Sequence, residues 1–171
     1  KVFLLDIGCN DGDLIMNRVD GSDNISVVGV DINMPAINRG NEKYPEEKFM
    51  GYCIDCLDDD FLDNMREIMI SKDILGFDIV ICSMILLHLD DPYKCLKNIR
   101  KLMKPGGRIF IRDMDDGLAI SHPDPDNLVQ TFNNYSKELS FTGERTNGRE
   151  IYSFLSKCGF RDIKIIPHEI T

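Results

Sequence analysis

The opening stretch, Val2-Phe3-Leu4-Leu5-Asp6-Ile7-Gly8-Cys9-Asn10-Asp11-Gly12-Asp13, constrains the fold more than any other part of the chain. It reads as a buried apolar strand that stops on an acid and enters a glycine-bearing turn. Glycine admits backbone conformations closed to other residues and lets a ligand approach bare main chain. A second apolar strand, Ser26-Val27-Val28-Gly29-Val30, also stops on an acid, Asp31. Two acids ending neighbouring strands, one beside a glycine turn, form a pocket for a ligand with a cation at one end and a ribose at the other. Among common cofactors, S-adenosylmethionine best matches that description.

The rest of the chain alternates short β-rich runs with helical stretches, the pattern of a parallel α/β sheet. Strands are expected at Val2–Asp6, Ser26–Asp31, Lys48–Tyr52, Phe77–Ser83, Arg108–Arg112 and Arg161–Ile166. The fourth is apolar enough to be buried on both faces. Helices are expected at Gly12–Arg18, at Met34–Glu42 with Asn33 as cap and Pro35 in the first turn, and at Phe61–Ser71. The acids Asp58-Asp59-Asp60 suit the positive end of that third helix better than they suit a metal. Further helices run from Pro92 to Met103, stopped by Lys104-Pro105-Gly106-Gly107, then over Leu128–Leu139 and Gly148–Cys158, with Gly159 ending the last. Asp113 to Asn127 is a polar, proline-bearing loop.

A chain of 171 residues with 43% hydrophobic content is long enough to bury a core as one domain, residues 1–171, without disulfide or metal staples. No apolar run approaches a membrane span. The net charge of −9, with cationic residues only in scattered pairs such as Arg100-Lys101, argues against a nucleic-acid substrate. Six cysteines, four in or beside apolar runs, fit a reduced, cytoplasmic protein. Cys53-Ile54-Asp55-Cys56 matches a C-x-x-C spacing, but no second half exists to complete a metal site. The chain begins on a strand residue, as a piece of something longer would, so an attached domain before Lys1 is expected.

With these pieces in order, the chain resembles the class I S-adenosylmethionine-dependent methyltransferases. Four signatures carry the resemblance: Asp6-Ile7-Gly8-Cys9-Asn10-Asp11-Gly12; Asp31 closing the second strand; Asp55; and Phe77-Asp78-Ile79-Val80 through Leu87-His88-Leu89, then Leu102-Met103-Lys104-Pro105-Gly106-Gly107. Asn10 stands where the family has its middle glycine, and asparagine tolerates left-handed backbone better than most residues. The resemblance implies a three-layer sandwich around a mostly parallel, doubly wound Rossmann-like sheet. Of that fold's seven strands six are found, the final antiparallel one being missed. It implies that Asp6 stands near the amino-acid end of the cofactor and that Gly8, Cys9, Asn10 and Gly12 bring backbone to it. Asp31, followed by Ile32, takes the two ribose hydroxyls. Asp55 accepts from the adenine amino group, the Cys56 amide donates to the ring, and Ser83 and Met84 line the methionine portion. These residues gather where strand order reverses, between the first and fourth strands.

The activity implied is methyl transfer by in-line displacement to a small molecule, less readily to a protein side chain. His88, His122 or Asp113 are the candidate bases, although a histidine at position 88 equally suits simple packing against Leu87. The acids after the fifth strand, in Arg112-Asp113-Met114-Asp115-Asp116-Gly117 and Ser121-His122-Pro123-Asp124-Pro125-Asp126, suit a tight turn, a lip for a cationic substrate, pairing with Arg112 or Arg145, or a divalent metal. The competing reading is a module that binds S-adenosylmethionine or its demethylated product and regulates an attached domain. A nicotinamide-dependent dehydrogenase is excluded, because G-x-G-x-x-G counted from Gly8 fails at Asn10 and Asp13.

Overall fold

The computed structural model describes residues 1–119, 122–138 and 145–168. They fall into two compact units, Lys1–Ile85 with Lys101–Arg112, and Leu86–Arg100 with Asp113–Thr171.

The first unit holds a sheet of five parallel strands in the order β3-β2-β1-β4-β5. They are β1 (Val2–Ile7), β2 (Ile25–Asp31), β3 (Phe49–Cys53), β4 (Phe77–Ser83) and β5 (Met103–Arg112). Between the first four lie α1 (Asp13–Val19), α2 (Met34–Lys43) and α3 (Phe61–Ser71). Parallel neighbours require crossovers, and the helices that make them cover the sheet. This is the α/β Rossmann-like architecture read from the sequence, and strand order reverses between β1 and β4 as expected.

β2, β1 and β4 are the interior strands, and the sequences of the first two show it most clearly. Leu4, Leu5, Ile7, Val27, Val28 and Val30 are all buried. Leu4, Val27 and Phe49 form a core cluster with Cys9, Ile15 and Ile37, against which Ile79 and Ile81 of β4 pack half-buried. So β4 is closed on the Val80/Cys82 side and less completely on the other, where Phe77 is buried but Ile79 and Ile81 are not, although the sequence suggested burial on both. At its start, Asp78 accepts from the Phe3 amide (2.9 Å) and from the Lys104 ammonium (2.8 Å), tying β1, β4 and β5 together.

Asn33 caps α2 as expected, accepting from the Ala36 amide at 3.2 Å. Asp60 is the capping residue of α3, but its side chain makes no capping hydrogen bond. Its contribution is the charge at the dipole end alone.

Two expectations are corrected. β5 begins at Met103 rather than Arg108. Met103 pairs with Phe77, the register then slips, and pairing resumes with Arg108 opposite Ile79. Lys104-Pro105-Gly106-Gly107 is therefore an irregularity inside a ladder, made possible by Gly106 at φ 80°. Arg161–Ile166 is no strand: it finds no ladder partner among the described residues, and Ile165 and Ile166 stand exposed. Its alternating sequence suits a strand, but a strand needs a neighbour to satisfy its backbone.

The second unit contains most of α4 (Pro92–Leu102), all of α5 (Leu128–Glu138) and α6 (Ile151–Lys157), and short 3₁₀ turns at Leu86–His88, Asp116–Leu118 and Asn147–Glu150. The last turn occupies the start of the helix expected from Gly148, and Gly159, at φ 81°, ends it as expected. Leu139 and Ser121, named in the sequence reading, lie outside the described residues.

Gly40 gives a test of how tightly the first unit is built. An added Cβ there would stand 2.6 Å from the Asp11 carbonyl oxygen and 2.9 Å from the Phe49 ring. Helix propensity alone favours Gly40→Ala by about 1 kcal/mol. Overpacking against backbone outweighs that, so urea denaturation is expected to show a net loss of ~1–3 kcal/mol. A stabilised variant would contradict the close approach.

Candidate functional site

The site in the first unit is built where β1 and β2 end. Gly8 and Cys9 both donate to the Val30 carbonyl, at 2.8 and 3.2 Å, so the chain leaving β1 stays fastened to the last turn of the β2 ladder. Gly8, Asn10 and Gly12 then take left-handed conformations at φ 74°, 53° and 79°. Asn10 thus does the work of the missing glycine. Its side chain accepts from the Asp11 amide at 2.9 Å, the local bond that makes asparagine tolerable there. The Gly12 amide closes the loop onto the Cys9 carbonyl at 2.9 Å.

Asp31 holds the far side. One carboxylate oxygen accepts from the Asn10 amide (2.8 Å) and the other from the Asn33 amide (2.9 Å). Each oxygen keeps a lone-pair direction open for a hydroxyl. Ile32 beside it is 71% exposed, a bare apolar surface next to a fixed acid. On β3, Cys53 pairs in register with Asp31 and its thiol donates to the Ile32 carbonyl at 3.5 Å. Asp55 accepts from the Leu57 amide at 2.8 Å with one oxygen. Ser83 ends β4, and Met84 follows at φ 58° with its amide on the Arg112 carbonyl at 2.7 Å.

These features match the needs of a sulfonium nucleoside: left-handed backbone at the turn, an acid with both oxygens oriented, and an apolar plate beside it. Two side chains serve otherwise than as ligands. Cys9 and Cys56 are buried in the core, which leaves only their backbone to the site. None of the six cysteines is joined in a disulfide, and among the described residues no cluster of His, Cys, Asp or Glu is arranged to hold a metal.

Asp6 is 4% exposed. Burial pushes its carboxyl up to about 7, with the Arg18 guanidinium pulling it down and the Asp31 charge adding to the rise. The expected role near a cationic group therefore falls to an acid that is only partly ionised at neutral pH.

Sequence reasoning passed over Gly29, Gly40 and Phe49. A Cβ at Gly29 would meet the Cys9 sulfur at 2.6 Å, and one at Gly12 the Phe49 ring at 2.7 Å. The Phe49 ring is thus the block on which the loop rests. A lone glycine inside a strand, as at 29, or inside a helix, as at 40, is the signal that marks such approaches.

His88 and Asp113 belong to the second unit. His88 is exposed between buried Leu87 and Leu89. Asp113 turns one oxygen to its neighbour's amide, Met114 (2.9 Å), and the other to the Leu87 amide (3.2 Å). Burial raises its carboxyl above the ordinary range, against the pull of those amides and of His88. The acids that follow are matched internally: Asp115 takes a two-pronged contact from Arg149 (2.7 and 2.8 Å), and Asp116 pairs with Arg145. That leaves them spoken for, rather than waiting for a cationic substrate.

Comparison with known proteins bears on the family and the fold. A family model described as "Methyltransferase domain" matches residues 5–109. The ubiquinone biosynthesis O-methyltransferase of Coxiella burnetii is 30% identical over 107 residues, covering 63% of this chain and 41% of that protein. The ubiquinone/menaquinone biosynthesis C-methyltransferase UbiE of Vibrio campbellii is 29% identical, covering 98% of this chain and 60% of that protein. The chain thus spans less than two thirds of these relatives' length. Among solved structures, human N-acetylserotonin methyltransferase in complex with SAM superposes with a TM-score of 0.63 at 21% identity, covering 95% of this chain and 43% of that one. An O-methyltransferase family protein from Burkholderia thailandensis gives 0.67 at 15% identity, covering 92% and 45%.

The buried acid predicts a pH signature. The Asp6 carboxyl sits near 7 in the folded protein and near 4 when unfolded. Between those values the native state holds the extra proton, so this group's contribution to stability declines as pH rises from 4 to 7 and is level above. Asp6→Asn removes the decline. Denaturation of the two proteins is expected to show the variant gaining on wild type across that interval, by at most about 4 kcal/mol. Parallel pH profiles would mean that Asp6 titrates normally.

Proposed function

The chain belongs to the methyltransferase domain family, and on that footing we propose that it binds S-adenosylmethionine and transfers its methyl group to a small-molecule nucleophile. The observation that carries this is the pairing of a left-handed Gly8–Asn10–Gly12 loop with an Asp31 carboxylate already held by the Asn10 and Asn33 amides.

When bound, the cofactor supplies an electrophilic methyl on a sulfonium, so the protein's share is alignment and exclusion of water. Gly8 and Gly12 bring side-chain-free backbone to the amino-acid end, with Asp6 behind them. Asp31 accepts the ribose hydroxyls, and the exposed Ile32 surface lies along the nucleoside. Asp55 retains an oxygen for the adenine amino group, and the Cys56 amide donates to the ring. Ser83 and Met84 line the methionine portion. Where the acceptor arrives protonated, His88 takes the proton. Its exposure between two buried leucines supports that role. His122 lacks such a setting: its described neighbours 123–127 are mostly exposed.

Relatives named for O- and C-methylation in quinone biosynthesis make phenolic oxygens and activated ring carbons the first acceptors to try. No helix among the described residues is long and apolar enough to cross a membrane. We read the protein as cytoplasmic, on cysteine usage that suits a reducing compartment.

Calorimetry with S-adenosylmethionine and S-adenosylhomocysteine tests the site. At least one is expected to bind in the micromolar range, and Asp31→Ala to weaken it at least ~10-fold, about 1.4 kcal/mol. Unchanged affinity would remove Asp31 from the ribose. With a phenolic panel, His88→Gln is expected to lower turnover ~100-fold while sparing cofactor affinity. Tight binding with no turnover on any acceptor would instead favour the sensing module.

A further inference from the structure

Two side chains from distant parts of the second unit grip one peptide group. The Leu86 carbonyl and the Leu87 amide are the two ends of a single planar unit. The Asn147 side-chain amide donates to the Leu86 carbonyl at 3.2 Å, and the Asp113 carboxylate accepts from the Leu87 amide at 3.2 Å. Rotation of that plane would break both bonds at once. His88 is the next residue.

Asn147 was not singled out by its sequence context, and the family resemblance assigns it nothing. Yet it is 6% exposed and, among the described residues, one of three buried polar ones, with Asp6 and Ser26. A buried amide is costly unless its bonds are made, so its position is specified. The chain around it is fastened on both sides. The Asp116 amide bonds to the Arg145 carbonyl and the Gly148 amide to the Met114 carbonyl, each at 3.0 Å. Arg145 pairs with Asp116, and Arg149 with Asp115. Gly148 lets these segments close up, since a Cβ there would lie 2.6 Å from the Met114 carbonyl oxygen.

We propose that Asn147 and Asp113 are positioning residues that hold the Leu86–Leu87 peptide plane from its two ends and so fix the direction in which His88 is presented. This rests on the reading of His88 as proton acceptor, and it changes the role of Asp113. With one oxygen on the Leu87 amide and the other on the Met114 amide, Asp113 is a strut beside the histidine rather than a competing base.

The chain has three histidines, so ring cross-peaks in NMR can be assigned with His88→Gln. Asn147→Leu, similar in shape but without the donor, and Asp113→Asn are compared with wild type. Both are expected to displace the His88 ring signals and to speed Leu87 amide exchange by ~10-fold or more. The His122 and His168 signals should stay in place and S-adenosylmethionine affinity within about twofold. A His88 signal unmoved in both variants, or a Leu87 amide that exchanges as in wild type, overturns the clamp. If Asn147→Leu loses its melting transition, Asn147→Asp, which sets an acceptor against the carbonyl, is read in its place. Loss of cofactor binding in wild type would sink the methyltransferase reading while leaving the clamp to stand or fall on these signals. Full turnover in His88→Gln would remove only the base.

Discussion

The first unit depends on how the end of β2 captures the loop that leaves β1. The Val30 carbonyl takes two amides, from Gly8 and Cys9, and the next residue takes a third, from Asn10, through its side chain. Those bonds turn a flexible glycine segment into a fixed shape before any ligand arrives. Everything nearby is arranged to permit the closeness this needs. Gly29 leaves space for the Cys9 sulfur, Gly40 for the Asp11 carbonyl, and the Phe49 ring fills what remains. The same closeness buries Asp6, which lifts its carboxyl toward neutrality. Loop geometry and acid ionisation thus have one cause.

The second unit uses polar contacts differently. Asp115 and Asp116 after β5 are matched with arginines some thirty residues later, and a peptide plane held from both ends lies beside a histidine. Both carboxylates of these pairs are 11% exposed, so each acid is held beside its arginine largely out of solvent. Their effect is to bring Asn147 to Leu86, which is a matter of direction more than of energy.

Features set by neighbours in sequence were legible from the chain alone. The acid-terminated strands, the Asn33 cap, the left-handed Asn10 and the stop at Gly159 each follow from a few adjacent residues. Features that need a distant partner were not. Arg161–Ile166 has a strand's alternation, but a ladder takes two. The early start of β5 follows from Met103 meeting Phe77, a pairing hidden behind a proline and two glycines that look like a plain stop. The fate of Asp115 and Asp116 was open until Arg149 and Arg145 were placed beside them. Asn147, in a polar stretch, gave no local sign that it would be buried.

The Gly8–Asn10–Gly12 loop and the Asp31 carboxylate owe their shape to the protein's own amides. On the proposed reading, those contacts go to parts of the nucleoside that survive methyl transfer unchanged, and none of them touches the sulfur. Such a cradle would hold the spent nucleoside as well as the fresh one, and its occupancy would follow the ratio of the two more than the amount of either.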